Sequence, residues 1–95
     1  MISLSTHVLD VDRGRPARGV HVELWQDELL ASAETDDDGR IARLAADLEP
    51  GTYRVVFRPP SPFFQSVAVE VVLEDGHYHV PLLASSYSCT TYRGS

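Results

Sequence analysis

The stretch VAVEVVLEDGHYHVPLL, Val67–Leu83, decides how the rest of the chain is read. Val67, Val69, Val71 and Leu73 recur at every second position, the period of a half-buried strand. Glu74, Asp75 and Gly76 turn the chain. His77–Leu83 then reads as a further strand. In it Tyr78, Val80 and Leu82 look inward, so His77 and His79 look outward.

The same grammar runs upstream. Met1–Leu9 alternates, with Ile2, Leu4, Thr6 and Val8 on one face and Ser3, Ser5 and His7 on the other. DVDRGRPARG (Asp10–Gly19) reads as loop, punctuated by Gly14, Pro16 and Gly19. Val20, Val22 and Leu24 alternate with His21, Glu23 and Trp25. A polar turn at Gln26–Glu28 leads to a short strand near Leu29–Thr35, and DDDG (Asp36–Gly39) is a tight turn by composition. Ile41–Leu44 restarts a short strand, and Leu44–Leu48 reads as one turn of helix. LEPGTYRVVF (Leu48–Phe57) is a turn and a strand with Tyr53, Val55 and Phe57 on one side. RPPSP (Arg58–Pro62) is neither central strand nor helix, because its prolines lack the amide hydrogen both need. Tyr87–Ser95 reads as the last strand. About eight short strands with turns between them predict an all-β, antiparallel sandwich or barrel, and residues 1–95 are expected to form a single domain.

Composition narrows the partners. A net charge of −6 argues against nucleic acid, though a small anion can still bind at a local cationic spot. No stretch has the apolar length of a membrane span. Asp10, Asp12, Arg13, Arg15 and Arg18 make the first residues unlike a signal peptide. One cysteine, Cys89, excludes an internal disulfide and fits a reducing compartment, so a cytoplasmic location is expected. A 95-residue chain buries only roughly two thirds of its unfolded surface, so subunit pairing is an expected source of stability.

Four histidines, His7, His21, His77 and His79, are the candidates for proton chemistry near neutral pH. Along the last strand, Thr91, Arg93 and Ser95 would share a face, with the Ser95 hydroxyl and terminal carboxylate beside a guanidinium. If the first strand and the last two are neighbours, one outer surface carries His7, His79, Arg93 and Ser95. The other reading is a set of solvated polar residues on unrelated strands. His77-Tyr78-His79 could also offer two imidazoles to a metal, with His7 or Cys89 as a third ligand, but nothing fixes that ligand. DDDGR (Asp36–Arg40) lacks the remaining oxygen ligands of a calcium loop and reads as a turn followed by an arginine. Nucleophile elbow, Gly-rich phosphate loop and carboxylate pair are all missing.

LSTHVLD (Leu4–Asp10), GRPARGVHVEL (Gly14–Leu24), TDDDGR (Thr35–Arg40), LEPGTYRVVF (Leu48–Phe57) and HYHVPLLASSYSCTTYRGS (His77–Ser95) together resemble the 5-hydroxyisourate hydrolases, the enzyme branch of the transthyretin family. The terminal Tyr92-Arg93-Gly94-Ser95 is the mark that separates that branch from the hormone carriers. The resemblance implies a transthyretin-like (prealbumin-like) two-sheet Greek-key sandwich of eight strands. It implies a homotetramer, a dimer of dimers, whose sites lie in a channel lined by the first strand and the last two. The activity implied is hydrolysis of 5-hydroxyisourate to 2-oxo-4-hydroxy-4-carboxy-5-ureidoimidazoline, with no metal or organic cofactor. His7, Arg40, His79 and Ser95 fall on the catalytic positions. Tyr92, Arg93 and Gly94 fall on substrate-binding ones, and His77 matches a motif position. A paralogue acting on another cyclic amide, or a binding protein without activity, are the alternatives. Three departures stand out. RPPSPFFQ (Arg58–Gln65) is too short and Pro-rich for the helix expected between the fifth and sixth strands, Ser86 replaces a common Pro, and Cys89 replaces a common Tyr.

Overall fold

The computed structural model describes residues 1–95 and contains ten strands and no helix. The first sheet is built around β1 (Ile2–Asp10). On one side β1 pairs antiparallel with β5 (Arg40–Leu48) and with the two-residue β2 (Arg15–Pro16). On its other side β8 (Gly76–His79) and then β9 (Leu82–Ala84) pair with it in parallel, and β10 (Cys89–Thr91) closes the edge against β9. The second sheet is fully antiparallel, in the order β4 (Glu28–Glu34), β3 (His21–Gln26), β6 (Gly51–Phe57), β7 (Val67–Leu73).

The alternation read from the sequence determines what meets between the sheets. Ile2, Leu4, Val8, Leu82 and Ala84 face Val22, Leu24, Tyr53, Val55, Phe57 and Leu73 in one buried cluster. Apolar area removed from water there is the main favourable term, at roughly 25 cal/mol per Å². Polar groups in this layer are paired, as burial demands. The Thr35 hydroxyl accepts from the Val20 amide and donates to the Ala17 carbonyl. Tyr53 donates its hydroxyl hydrogen to the Glu49 carbonyl.

Three local expectations are corrected. Leu44–Leu48 is not a helical turn but the end of β5, paired with β1 through two register shifts, with Asp47 at φ 58°. His77–Leu83 is two strands, because Pro81 has no amide hydrogen to continue the ladder. The carbonyls at this break are satisfied by threonines: Thr6 donates to Val80 and Thr91 donates to Pro81. Only Cys89–Thr91 of the expected Tyr87–Ser95 strand is regular, although Gly94 rejoins the sheet by a single bridge to His79.

Arg58–Ser66, between β6 and β7, holds no helix. Ser61 organises it: its hydroxyl accepts from the amides of Phe63 and Phe64 and donates to the Ser86 carbonyl. Asp12 in turn accepts from both the amide and the hydroxyl of Ser86, and these bonds hold its carboxyl below the usual carboxylate range. So the serine in place of the common proline supplies two donors that tie three loops together. Along the sides, β4 packs beside β5, whereas β7 and β10 leave a groove of about 420 Å³ lined by Val69–Glu74, Tyr78, Val80 and Thr91–Arg93. No helix is long and apolar enough to cross a membrane.

Candidate active site

His7 leaves β1 on the outer face of the first sheet, and the antiparallel register sets Arg40 directly opposite. The Asp36–Gly39 turn fixes both. The Asp36 carboxylate accepts from the amides of Asp38 and Arg40, each at 2.9 Å. Gly39 has φ 74°, a left-handed conformation that favours glycine, and a Cβ there would lie 2.5 Å from the Val8 carbonyl oxygen. The Val8 amide donates to the Gly39 carbonyl at 2.7 Å, which locks the turn onto β1. The Asp38 carbonyl thereby lies 3.0 Å from His7 Nε2. A carbonyl only accepts, so Nε2 carries a hydrogen and Nδ1 is left for other work. Arg40 is exposed and takes part in no ion pair.

His77 and His79 leave β8 on the same outer face. The parallel register pairs Ser3 with His77 and Ser5 with His79. Ser3 Oγ lies 2.6 Å from His77 Nδ1, and Ser5 Oγ lies 2.8 Å from His77 Nε2 and 2.7 Å from His79 Nδ1. Ser5 is buried. Partial burial is the main cause that holds the His79 imidazole below the ordinary histidine range, and His7, Arg40 and His77 push the same way. Gly94 closes one side. Its amide donates to the His79 carbonyl at 2.7 Å, and a Cβ on it would lie 2.6 Å from His79 Cδ2. His79 therefore sits neutral at neutral pH, its ring fixed by Ser5 and the Gly94 backbone, close to a second imidazole and a guanidinium.

The structure thus brings together His7, Arg40, His79 and Gly94. It does not place Arg93 on their face. The Arg93 guanidinium stacks 4.3 Å from the centre of the Tyr78 ring, and both residues line the groove between β7 and β10. The expectation of a face shared by His7, His79 and Arg93 fails because the strand ends at Thr91 and Arg93 turns toward the inter-sheet edge. Tyr92 is half-exposed at the same groove, and Ser95 is exposed, one residue beyond the Gly94 bridge. Cys89 packs against the core, where burial pushes its thiol pKa up, so it neither floors the histidine cluster nor supplies it with a ligand. No three His, Cys, Asp or Glu side chains converge as a metal site would need. Sequence reasoning missed Ser3 and Ser5 as site residues, although their alternation with His7 had put all three on one face.

The cluster is open. None of the five principal grooves is lined by His7, Arg40, His77 or His79. Residues 4–94 match the HIUase/Transthyretin family. The chain is 42% identical to the 5-hydroxyisourate hydrolase of Caulobacter vibrioides over 116 aligned positions, covering 100% of both chains. It is 39% identical to that of Pseudomonas aeruginosa over 114, covering 97% of this chain and 90% of the relative. Both alignments exceed the 95 residues available, so the relatives carry positions this chain lacks. Among solved structures, Klebsiella pneumoniae 5-hydroxyisourate hydrolase superposes with a TM-score of 0.92 at 36% identity, with 100% of each chain covered. Two packed sheets, an outer-face histidine cluster and these likenesses lead to one conclusion: the chain belongs to the HIUase/Transthyretin family.

Proposed function

We propose that the protein hydrolyses 5-hydroxyisourate to 2-oxo-4-hydroxy-4-carboxy-5-ureidoimidazoline, as the names of its relatives suggest. The observation that carries this reading is His79, held neutral beside His7 and Arg40. Opening the substrate's six-membered ring requires water to lose a proton, a carbonyl carbon to gain the oxygen, and the ring nitrogen to leave with a hydrogen. A neutral imidazole suits the first step, so His79 acts as general base through Nε2. Arg40, with no carboxylate to neutralise it, stabilises the negative charge that develops on the carbonyl oxygen. His7, anchored through Nε2, offers Nδ1 to the substrate or to a proton in transit. Gly94 keeps His79 in place, and Ser95 follows it by one residue, while Tyr92 lies with Arg93 at the groove between β7 and β10 rather than beside the imidazoles. Arg93 supports Tyr78 from the groove side.

An open sheet face does not exclude water, and small-molecule sites are concave. We therefore read the functional form as a homotetramer, a dimer of dimers, in which a second copy of this single domain covers the histidine face. The uncovered edges of β7 and β10, with the groove between them, suit pairing within a dimer. A cytoplasmic site of action fits the lone cysteine. Of the other readings, a different cyclic amide finds no support in Cys89, which faces the core. A carrier without activity has no use for a histidine with a depressed pKa. The test generates 5-hydroxyisourate in place with urate oxidase and follows its ultraviolet band. Faster decay with the protein is expected, and decay at the spontaneous rate with folded protein contradicts the reading.

A further inference from the structure

The outer face of β1 and β8 carries one unbroken hydrogen-bonded chain: Ser3 Oγ, His77 Nδ1 and Nε2, Ser5 Oγ, His79 Nδ1. It arises from register alone, since parallel pairing sets Ser-x-Ser level with His-x-His. Both nitrogens of His77 and one of His79 are engaged. His79 Nε2 has no partner among these bonds. No carboxylate lies within ion-pair reach of either ring, and the only histidine paired with one is His21 on the other sheet. The charged or titratable groups facing His79 are His7 from β1, Arg40 from β5 and His77 from its own strand.

A hydroxyl has one hydrogen, so Ser5 donates to one imidazole and accepts from the other. Two arrangements follow for the neutral chain. In the first, Ser5 donates to His77 Nε2 and accepts from His79 Nδ1–H, and His77 Nδ1–H donates to Ser3. His79 Nε2 is then a bare lone pair, ready to act as a base. In the second every bond is reversed: Ser3 donates to His77 Nδ1, His77 Nε2–H donates to Ser5, and Ser5 donates to His79 Nδ1. His79 Nε2 then carries the hydrogen and is ready to act as an acid.

We propose that Ser5 and His77 are positioning residues that, with Ser3, form a proton relay setting whether His79 Nε2 is base or acid. The proposal rests on the reading that His79 moves protons in the hydrolysis. The step balances. Water gives a proton to His79 Nε2 and its hydroxide to the substrate carbonyl carbon. The His79 Nδ1 proton moves to Ser5, the Ser5 proton to His77 Nε2, and the His77 Nδ1 proton to Ser3, whose own hydroxyl proton leaves to solvent. Both rings end neutral with their tautomers exchanged. His79 Nε2–H then protonates the departing ring nitrogen, and one proton returning through Ser3 restores the first arrangement. Burial of Ser5 keeps water from competing at the middle of the chain, while Ser3 and His77 lie at its solvent end.

The test combines nitrogen NMR of the histidine rings in the substrate-free protein with steady-state kinetics, for wild type, Ser5→Ala, Ser5→Thr and His77→Phe. In wild type the Nδ1–H and Nε2–H populations of His77 match those of His79, because each arrangement gives both rings the same tautomer. In Ser5→Ala and His77→Phe the His79 tautomer ratio shifts, and kcat falls about tenfold, less than the roughly 10²–10⁴-fold carried by the acid or base itself because the relay acts only through His79, with KM within about twofold. Ser5→Thr restores both, because it returns the hydroxyl. An unchanged His79 tautomer ratio in both relay variants overturns the proposal whatever the activity. So does an unchanged kcat when the wild type is active. Matched tautomer populations in a wild type inactive on 5-hydroxyisourate support the relay and overturn the substrate assignment instead.

Discussion

The two outer faces of the sandwich each carry histidine, and each holds it in a different way. On the second sheet, His21 Nε2 meets the Glu23 carboxylate at 2.9 Å, Trp25 donates to the same carboxylate, and Arg58 lies 3.9 Å from it. Those bonds, Trp25 first, hold the Glu23 carboxyl below its usual range. The cluster is closed in charge and donors, which leaves nothing to act on a substrate. On the first sheet, the rings of His77 and His79 hydrogen-bond only to hydroxyls, and the charged or titratable groups acting on His79 are His7, His77 and Arg40. A carboxylate partner would favour the charged ring, whereas burial beside cations favours the neutral one. A histidine's partners, more than its exposure, separate a face closed on itself from the face proposed to react.

The contrast breaks most sharply at the rings themselves. His79→Ala is expected to lower kcat/KM for 5-hydroxyisourate about 10²–10⁴-fold, the range for a positioned acid or base, and His21→Ala to leave it within about twofold. Arg40→Gln comes next, with a loss of about 10²-fold if the arginine stabilises the developing oxyanion. It should also move the pH profile. Activity rises with pH as His79 loses its proton, with a midpoint below the ordinary histidine value of about 6.5. Arg40 is one of the causes of that depression, so its loss shifts the acid limb upward. Stability shares the sign. The unfolded chain takes up this proton at about 6.5 and the folded chain only at lower pH, so stability falls as pH drops through that window. The Glu23 cluster loses its contribution only at lower pH, where that carboxylate protonates, so acid titration followed by chemical denaturation separates the two faces.

Smaller effects sharpen the geometry. Gly39→Ala meets both a left-handed φ and the Val8 carbonyl, and should cost about 1–3 kcal/mol of unfolding free energy while displacing Arg40 from His7. Arg93→Ala should cost about 1 kcal/mol through loss of the stack on Tyr78. Denaturant melts measure both.

Alternation made most of the fold legible. β1, β3, β6 and β7 have the inward residues that their period assigns, because one face of each must be buried. Leu44–Leu48 misled because Leu and Ala favour helix, and pairing with β1 overrode that weak preference. Pro81 was visible, but its consequence required the threonines that cap the broken ladder. His7, Arg40 and His79 could be named from motifs, yet their meeting depends on strand order, which no periodicity reveals. Alternation places Arg93 on the wrong face because it holds only where the chain stays extended, and regular pairing stops at Thr91. Ser3 and Ser5 went unnoticed for a related reason: a serine gains its role from what lies across the ladder.

The most direct test of the account is the urate oxidase-coupled assay run on wild type, His79→Ala and His21→Ala side by side. The account predicts accelerated loss of 5-hydroxyisourate by wild type and His21→Ala, and decay near the spontaneous rate with folded His79→Ala. Equal rates from wild type and His79→Ala, or a loss confined to His21→Ala, would contradict it.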